Sequence, residues 1–246
     1  MHRFFVSPEQ IAGHLVHFRA DQARQLRDVL RLRPGDAVAV LDDTGQVYRV
    51  RLERVSRERT DGIIESRAAA GGEPAAHVTL YQSLLKREKF EWVLQKGTEL
   101  GVTRFAPVIS RRALVREAGD KLDRWRRIIA EAAEQAGRGR LPELRPPVAL
   151  EDALRDAPTY ARAIIPWEAA EGGGIRAALA GLPPAPAVAL FIGSEGGFDP
   201  AEIEAARAAG LMPITLGPRI LRTETAALVA VALALHELGE MERVHE

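Results

Sequence analysis

The sequence predicts an α/β protein with a mostly parallel sheet, preceded by a small β-rich module; three observations carry this. From His77 onward, strand-length apolar runs alternate with helix-period segments over short links, the pattern of a parallel sheet covered by helices. Two of those runs, Val188–Ile192 and Pro213–Leu216, end on glycine and open into the backbone-rich loops Gly193–Gly197 and Gly217–Thr225. Such loops suggest a ligand crevice at the carboxyl edge of the sheet. Residues 1–70, in contrast, alternate short strands with tight turns, as a small barrel does.

In the first module, His2–Val6 reads as a strand. Asp21–Leu30 has helical spacing, with Ala23, Leu26, Val29 and Leu30 on one side. A Pro34-Gly35-Asp36 turn, a strand at Ala37–Leu41 and a turn at Asp43-Thr44-Gly45 follow. In Val47–Val55, Tyr48, Val50 and Leu52 alternate with Arg49, Arg51 and Glu53. Asp61-Gly62 then reads as the opening of a last short strand at Ile63–Glu65. The small, Pro-interrupted segment Ala68–Ala76 is the best domain boundary, giving domains at 1–70 and 71–246.

In the second domain, Val78–Tyr81 is a strand and Lys89–Leu100 an amphipathic helix ended by Gly101, with Phe90, Val93, Leu94, Gly97 and Leu100 on one face. Phe105–Ile109 is the next strand. Asp120–Gly137 is a helix, with Leu122, Trp125, Ile129, Ala132 and Ala136 inward. A Pro-rich extended stretch at Leu141–Val148 precedes a short helix at Leu150–Arg155, a strand at Arg162–Ile165 and a short helix at Ile175–Leu179. Asp199-Pro200-Ala201-Glu202 has the signature of a helix start, with Asp199 as cap and Glu202 reaching back. The last helix, Thr223–Leu238, is apolar nearly all round, so it predicts burial on several sides, in a core or at a subunit interface.

Composition bounds the chemistry. The 246 residues are 46% hydrophobic and 28% charged, ordinary for a globular chain. Cysteine is absent, which excludes disulfides, thiolate metal sites and a cysteine nucleophile. No apolar run approaches a membrane span of about 20 residues, and Met1–Val6 is too short for a signal-peptide core, so the expectation is a cytoplasmic protein. Net charge is zero but unevenly spread. Residues 86–145 hold 15 Lys+Arg against 9 Asp+Glu, and residues 146–246 hold 7 against 14. A basic middle suits phosphates, or a solvated helix face.

The Gly193–Gly197 loop lacks the Gly-Lys-Ser/Thr ending of a P-loop and the G-x-G-x-x-G of a dinucleotide fold, which disfavours a nucleoside triphosphatase or a flavin or nicotinamide oxidoreductase. Leu216-Gly217-Pro218-Arg219-Ile220-Leu221 puts apolar side chains in a loop, where they either wall a pocket suited to adenine or plug the core. Thr223 reads as N-cap of the last helix, with Glu224 in its first turn, where negative charge is favoured. Arg222 has no such local role; an ion pair with Glu195 or Glu224 is its alternative to catalysis. The six histidines, His2, His14, His17, His77, His236 and His245, are scattered and predict no metal site.

Phe191–Phe198 together with Leu216–Ala226 resembles the RsmE family of SPOUT-class methyltransferases, which modify N3 of one uridine in small-subunit ribosomal RNA. Met1-His2-Arg3-Phe4-Phe5, Gln95–Val102 and Glu134–Arg138 are similar to further motifs of that family, so the likeness spans almost the whole chain. Ser194 stands where the family more often has proline. The resemblance implies a PUA-like RNA-binding barrel at 1–70 and a knotted SPOUT domain at 71–246. It also implies a homodimer, and S-adenosylmethionine as methyl donor with S-adenosylhomocysteine as product. Small-subunit ribosomal RNA or the assembled 30S subunit would be the substrate, with no metal and no membrane. The cofactor residues implied are Ile165, Pro166, Ile192, Gly193, Glu195, Gly196, Gly197, Leu216, Gly217, Ile220, Leu221, Thr223 and Ala226.

Methylating uridine N3 requires loss of the imide proton, so charge builds on the flanking oxygens and a cationic group nearby lowers the barrier. Arg222 is the first candidate and Arg138 of a facing subunit the second; Glu195 or Glu224 accepts the proton or orients an arginine. Arginines and lysines of the barrel and of 111–127 would hold phosphates. Two other readings are a SPOUT enzyme acting on ribose 2′-OH or transfer RNA, and a non-catalytic RNA-binding module.

Overall fold

The structure, a computed structural model, describes residues 1–86 and 88–242; His245 lies outside the described residues. The chain divides into two compact units, Met1–Glu73 with Ala130–Leu141, and Pro74–Ile129 with Pro142–Glu246.

The first unit is built on a six-stranded sheet, ordered β1-β4-β5-β6-β3-β2. Its strands are β1 (Arg3–Phe5), β2 (Ile11–Ala12), β3 (Leu15–Phe18), β4 (Ala37–Leu41), β5 (Gln46–Val55) and β6 (Thr60–Ala69). Only the β1–β4 pair is parallel. Helix α1 (Ala20–Arg24) runs on as a π turn to Val29. Alternate residues of the strands fill one core: Phe4, Val16, Phe18, Val38, Val40, Val50 and Leu52, closed by Leu26. Asp61-Gly62 does not open a strand; it lies inside β6, which is ten residues long. Glycine stands at 62 because a Cβ there would collide with Val50 Cγ1 across the β5–β6 pair. The short pair β2–β3 has no counterpart in the sequence reading, because Gly13-His14 is a weak turn signal between very short apolar runs.

Glu134 shows what burial costs in this unit. Its Oε1 accepts the Phe5 N–H at 2.8 Å. Burial holds its carboxyl above the usual carboxylate range, partly offset by that bond and reinforced by the charge of Glu131. The charged form is therefore the costly one in the fold. The associated stability is complete below the unfolded-state value and declines as pH rises through the folded one. Glu134→Gln keeps an acceptor for Phe5 without the charge. It is expected to raise the melting temperature at neutral pH and to lose that advantage below about pH 4, where a glutamate is neutral in either state. Thermal melts across that range check this.

The second unit contains β7 (His77–Ser83), β8 (Arg104–Ile109), β9 (Glu143–Leu144), β10 (Val148–Ala149), β11 (Arg162–Pro166), β12 (Ala187–Ile192) and β13 (Met212–Ile214). They run β10-β8-β7-β12-β11-β13, with β9 also paired to β8, and every pair is parallel. The helices are α2 (Glu88–Leu100), α3 (Leu122–Ala136), α4 (Leu150–Ala153), α5 (Ile175–Leu179), α6 (Pro200–Ala208) and α7 (Thr223–Glu237). Both faces of the sheet are covered, which is why β12 is apolar at every position. Val188, Leu190 and Ile192 join the core beneath α2, α5 and α7, while Ala189 and Phe191 join the one beneath α4 and α6. Trp125 and Ile129 of α3 belong to the first of these cores. Residues of α3 from Ala130 on count with the first unit, where Ala133 is buried and Ala136, expected inward, is exposed.

Asp199 caps α6 as its sequence signature predicts: its Oδ1 accepts the Ala201 N–H at 3.1 Å and Glu202 Oε2 accepts the Asp199 N–H at 2.8 Å. Helix α7 packs on α2, α5, β7 and β12. Its small residues Ala227, Ala230 and Ala234 allow that close approach and are fully buried. Among the described residues, no helix is long and apolar enough to cross a membrane.

Candidate active site

The strand order turns at the centre of the second sheet: the chain leaves β7 toward β8 on one side and reaches β11 and β13 on the other side of β12. Loops at the carboxyl ends of the central strands diverge there and leave a crevice. Glycine is required where the first loop folds back on itself. A bridge joins Ser194 to Gly197, whose N–H bonds the Ser194 carbonyl at 3.0 Å with φ at +66°. A Cβ on Gly193 would stand 3.2 Å from the Gly197 carbonyl carbon and 3.3 Å from the Phe198 ring.

One buried knot of polar atoms ties this loop to the second. Thr223 Oγ1 donates to the Gly193 carbonyl at 2.5 Å, and Gln82 Nε2, from the end of β7, reaches the same carbonyl at 3.3 Å and Thr223 Oγ1 at 3.2 Å. Thr223 is therefore not the N-cap. Arg222 holds that position with extended backbone, and Thr223 is the first helical residue, its hydroxyl taken by the other loop. Gln82 was not found from the sequence. The one signal was a polar residue directly following the apolar run Val78–Tyr81. Thr223→Val keeps the shape but removes both bonds, so it is expected to cost about 1–3 kcal/mol of stability and to weaken ligand binding between the loops. Calorimetric unfolding and ligand titration check the two effects.

The loops close on a cavity of about 470 Å³. Ile192, Gly193, Glu195, Gly196 and Gly197 line it from the first loop, and Ile220, Leu221, Arg222, Thr223, Glu224 and Ala226 from the second; Pro166 adds a third wall. Leu216 and Gly217 line a smaller adjoining cavity of about 100 Å³, shared with Pro166, Ile220, Leu221 and Ala226. Ile220 and Leu221 do not plug the core: Ile220 is 89% exposed and forms part of the rim. Ile165 lies apart from both cavities, fully buried in the core of the opposite sheet face. Arg138 belongs to the first unit, where its side chain is buried with Nη2 2.9 Å from Glu73 Oε2.

Lys89 and Glu168 line the cavity without having been singled out from the sequence. They arrive from α2 and from the end of β11, far in sequence from both loops. Lys89 Nζ stands 3.4 Å from Glu224 Oε2 and 3.8 Å from Glu195 Oε1. These pairs displace the expected partnership of Arg222 with the same glutamates. Among the described residues Arg222 makes no ion pair, and its side chain is exposed on the cavity wall. Three carboxylates, Glu168, Glu195 and Glu224, face two cations, Lys89 and Arg222, so the lining carries a charge of −1 and favours a cationic ligand group. The Ser194 hydroxyl is buried and, among the described residues, has no hydrogen-bond partner, so it is open to a ligand atom. Among the described residues no three metal-ligating side chains converge. The arginines of 111–127 are partly neutralised within the unit: Arg112 pairs with Asp199 at 3.3 Å, Arg124 with Glu91 at 2.8 Å and Arg126 with Asp123 at 2.8 Å.

Residues 72–235 match the family described as RNA methyltransferase domain. The ribosomal RNA small subunit methyltransferase E of a Synechocystis species is 36% identical over 234 residues, covering 94% of this chain and 76% of that protein. The Bacillus subtilis protein of the same name is 28% identical, covering 94% and 95%. Among solved structures, a ribosomal RNA small subunit methyltransferase E from Neisseria gonorrhoeae bound to S-adenosylmethionine superposes with a TM-score of 0.85 at 33% identity, over 96% of this chain and 97% of that one. A putative methyltransferase from Legionella pneumophila, also bound to S-adenosylmethionine, gives 0.86 at 33% identity over 95% and 96%. The fold and its paired loops define an RNA methyltransferase. Within that class the chain belongs to the ribosomal RNA small subunit methyltransferase E, or RsmE, family.

Proposed function

We propose that this chain transfers the methyl group of S-adenosylmethionine to N3 of one uridine in small-subunit ribosomal RNA. The observation that carries the reading is the cavity on which the Gly193–Gly197 loop and residues 220–226 of the second loop converge, in a chain of the RsmE family. The residues present fit the cofactor. The glycine cradle admits backbone contact, the apolar rim at Ile220 and Leu221 suits adenine, and the negative lining suits a sulfonium. Ile192, Gly193, Gly196, Gly197, Leu216, Gly217, Ile220, Leu221, Thr223 and Ala226 would hold it, with Pro166 at the end of β11 as third wall. When bound, it supplies an activated methyl group.

Arg222, free of any ion pair among the described residues, faces the charge that builds on the uracil oxygens as N3 loses its proton. Glu195 or Glu224 takes that proton. Arg138, from a facing subunit, is the second cation in this scheme; its pairing with Glu73 ties it to the first unit in this chain. The uridine leaves its stack to reach the methyl group.

The finer architecture belongs to the same reading. The first unit is a PUA-like RNA-binding barrel, domain 1–70, whose strand β5 carries Arg49, Arg51 and Arg54 on its outward positions. The SPOUT domain, 71–246, is knotted in this reading, as membership of the RsmE family implies. A homodimer would cover the side of α7 where Leu233 is 40% exposed. The RNA or the assembled 30S subunit is met in the cytoplasm. Incubation with labelled S-adenosylmethionine and either unmodified small subunits or transfer RNA tests the substrate class. Label on the subunits is expected; label on transfer RNA alone overturns the reading.

A further inference from the structure

We infer that Lys89 and Glu224 together form the surface that recognises the imide edge of the acceptor base, an inference that rests on the uridine reading above. Lys89 lies in the first turn of α2 and Glu224 in the first turn of α7. Both line the 470 Å³ cavity and also a second one, of about 670 Å³, between α2 and α3. The pair therefore stands at the junction of two adjoining cavities, one walled by the cofactor loops and the other by Trp92, Gln95, Arg124 and Ile128. Glu224 Oε2 is out of contact with solvent and, among the described residues, accepts no hydrogen bond; the ammonium of Lys89, 3.4 Å away, is its ion-pair neighbour. A buried carboxylate oxygen in that state lacks a donor.

Uracil supplies one. Its edge presents a carbonyl oxygen, the N3–H and a second carbonyl oxygen. A carboxylate accepts from N3–H while an adjacent ammonium donates to a flanking oxygen. In the register that sets N3 against the carboxylate and the 4-position against the ammonium, cytosine presents a bare N3 to the first and an amino group to the second, which mismatches both partners. In the second cavity the half-exposed Trp92 ring, with the Lys96 ammonium 5.2 Å from its centroid, offers a platform on which an unstacked base lies flat. In the reaction the N3 proton passes to the Glu224 carboxylate. The N3 electron pair forms the bond to the methyl carbon, and the electrons of the broken carbon–sulfur bond remain on sulfur. Lys89 faces the oxygen that takes up imide charge in that step.

Lys89→Met and Lys89→Arg test this on the full-length protein, with unmodified small subunits, titration of S-adenosylmethionine, and binding of short oligonucleotides carrying one uridine or one cytidine. The expected result for Lys89→Met is a fall in kcat of about a hundredfold with S-adenosylmethionine affinity within twofold of wild type. The preference for the uridine oligonucleotide is expected to disappear, and Lys89→Arg is expected to restore both readouts in part. Retention of kcat within threefold, a matching loss of cofactor affinity, or an unchanged uridine preference overturns the inference. Failure of the wild-type protein to label subunits would instead sink the reading on which it rests.

Discussion

Arg222→Ala is expected to lower kcat by roughly 10²- to 10³-fold while leaving S-adenosylmethionine affinity within twofold of wild type. The magnitude is that of removing one charge-stabilising donor from a transition state that gathers negative charge. The selectivity follows from position. Arg222 precedes α7, lines the cavity and forms no ion pair among the described residues, so its removal leaves the loop pairing through Thr223, Gly193 and Gln82 intact. Single-turnover methyl transfer together with calorimetric titration separates the two quantities. Equal losses in both would assign Arg222 to cofactor binding.

Gly193→Val is expected to abolish measurable cofactor binding, a weakening of more than about a hundredfold, and to lower stability as well. A Cβ at that position stands 3.2 Å from backbone carbon of Gly197 and 3.3 Å from the Phe198 ring; the first is main chain and the second is packed in the core. Branching at that carbon forces the loop open, and overpacking of this kind costs about 1–3 kcal/mol in a core. The Gly193 carbonyl would leave Thr223 Oγ1 and Gln82 Nε2, so both loops would lose their common anchor. Titration of the variant, with a thermal melt to show that it folds, checks this. Binding within tenfold of wild type would mean that the cradle does not need its tight closure.

Much of the architecture was legible because local and global preferences agree. β12 is apolar at every position because both faces are covered, and its terminal glycine marks where strand gives way to loop. The Asp-Pro-Ala-Glu start of α6 forms the capping box that its residues specify. What escaped was set by partners distant in sequence. Gly62 reads as the opening of a short strand until Val50 of the neighbouring strand is found packed against it. Thr223 reads as a cap until its hydroxyl is given to Gly193.

The site followed the same division. The two loops were visible as motifs. Gln82, Lys89 and Glu168 were not, because each reaches the crevice from a different element and nothing in its immediate neighbourhood sets it apart. Lys89 also changes the reading of the loops: by lying between Glu195 and Glu224 it leaves Arg222 unpaired among the described residues.

Nucleoside mass analysis of small-subunit RNA after reaction with S-adenosylmethionine tests the central claim most directly. The account predicts 3-methyluridine as the new nucleoside, its methyl group on the base. A methyl group on ribose, or none, would contradict it.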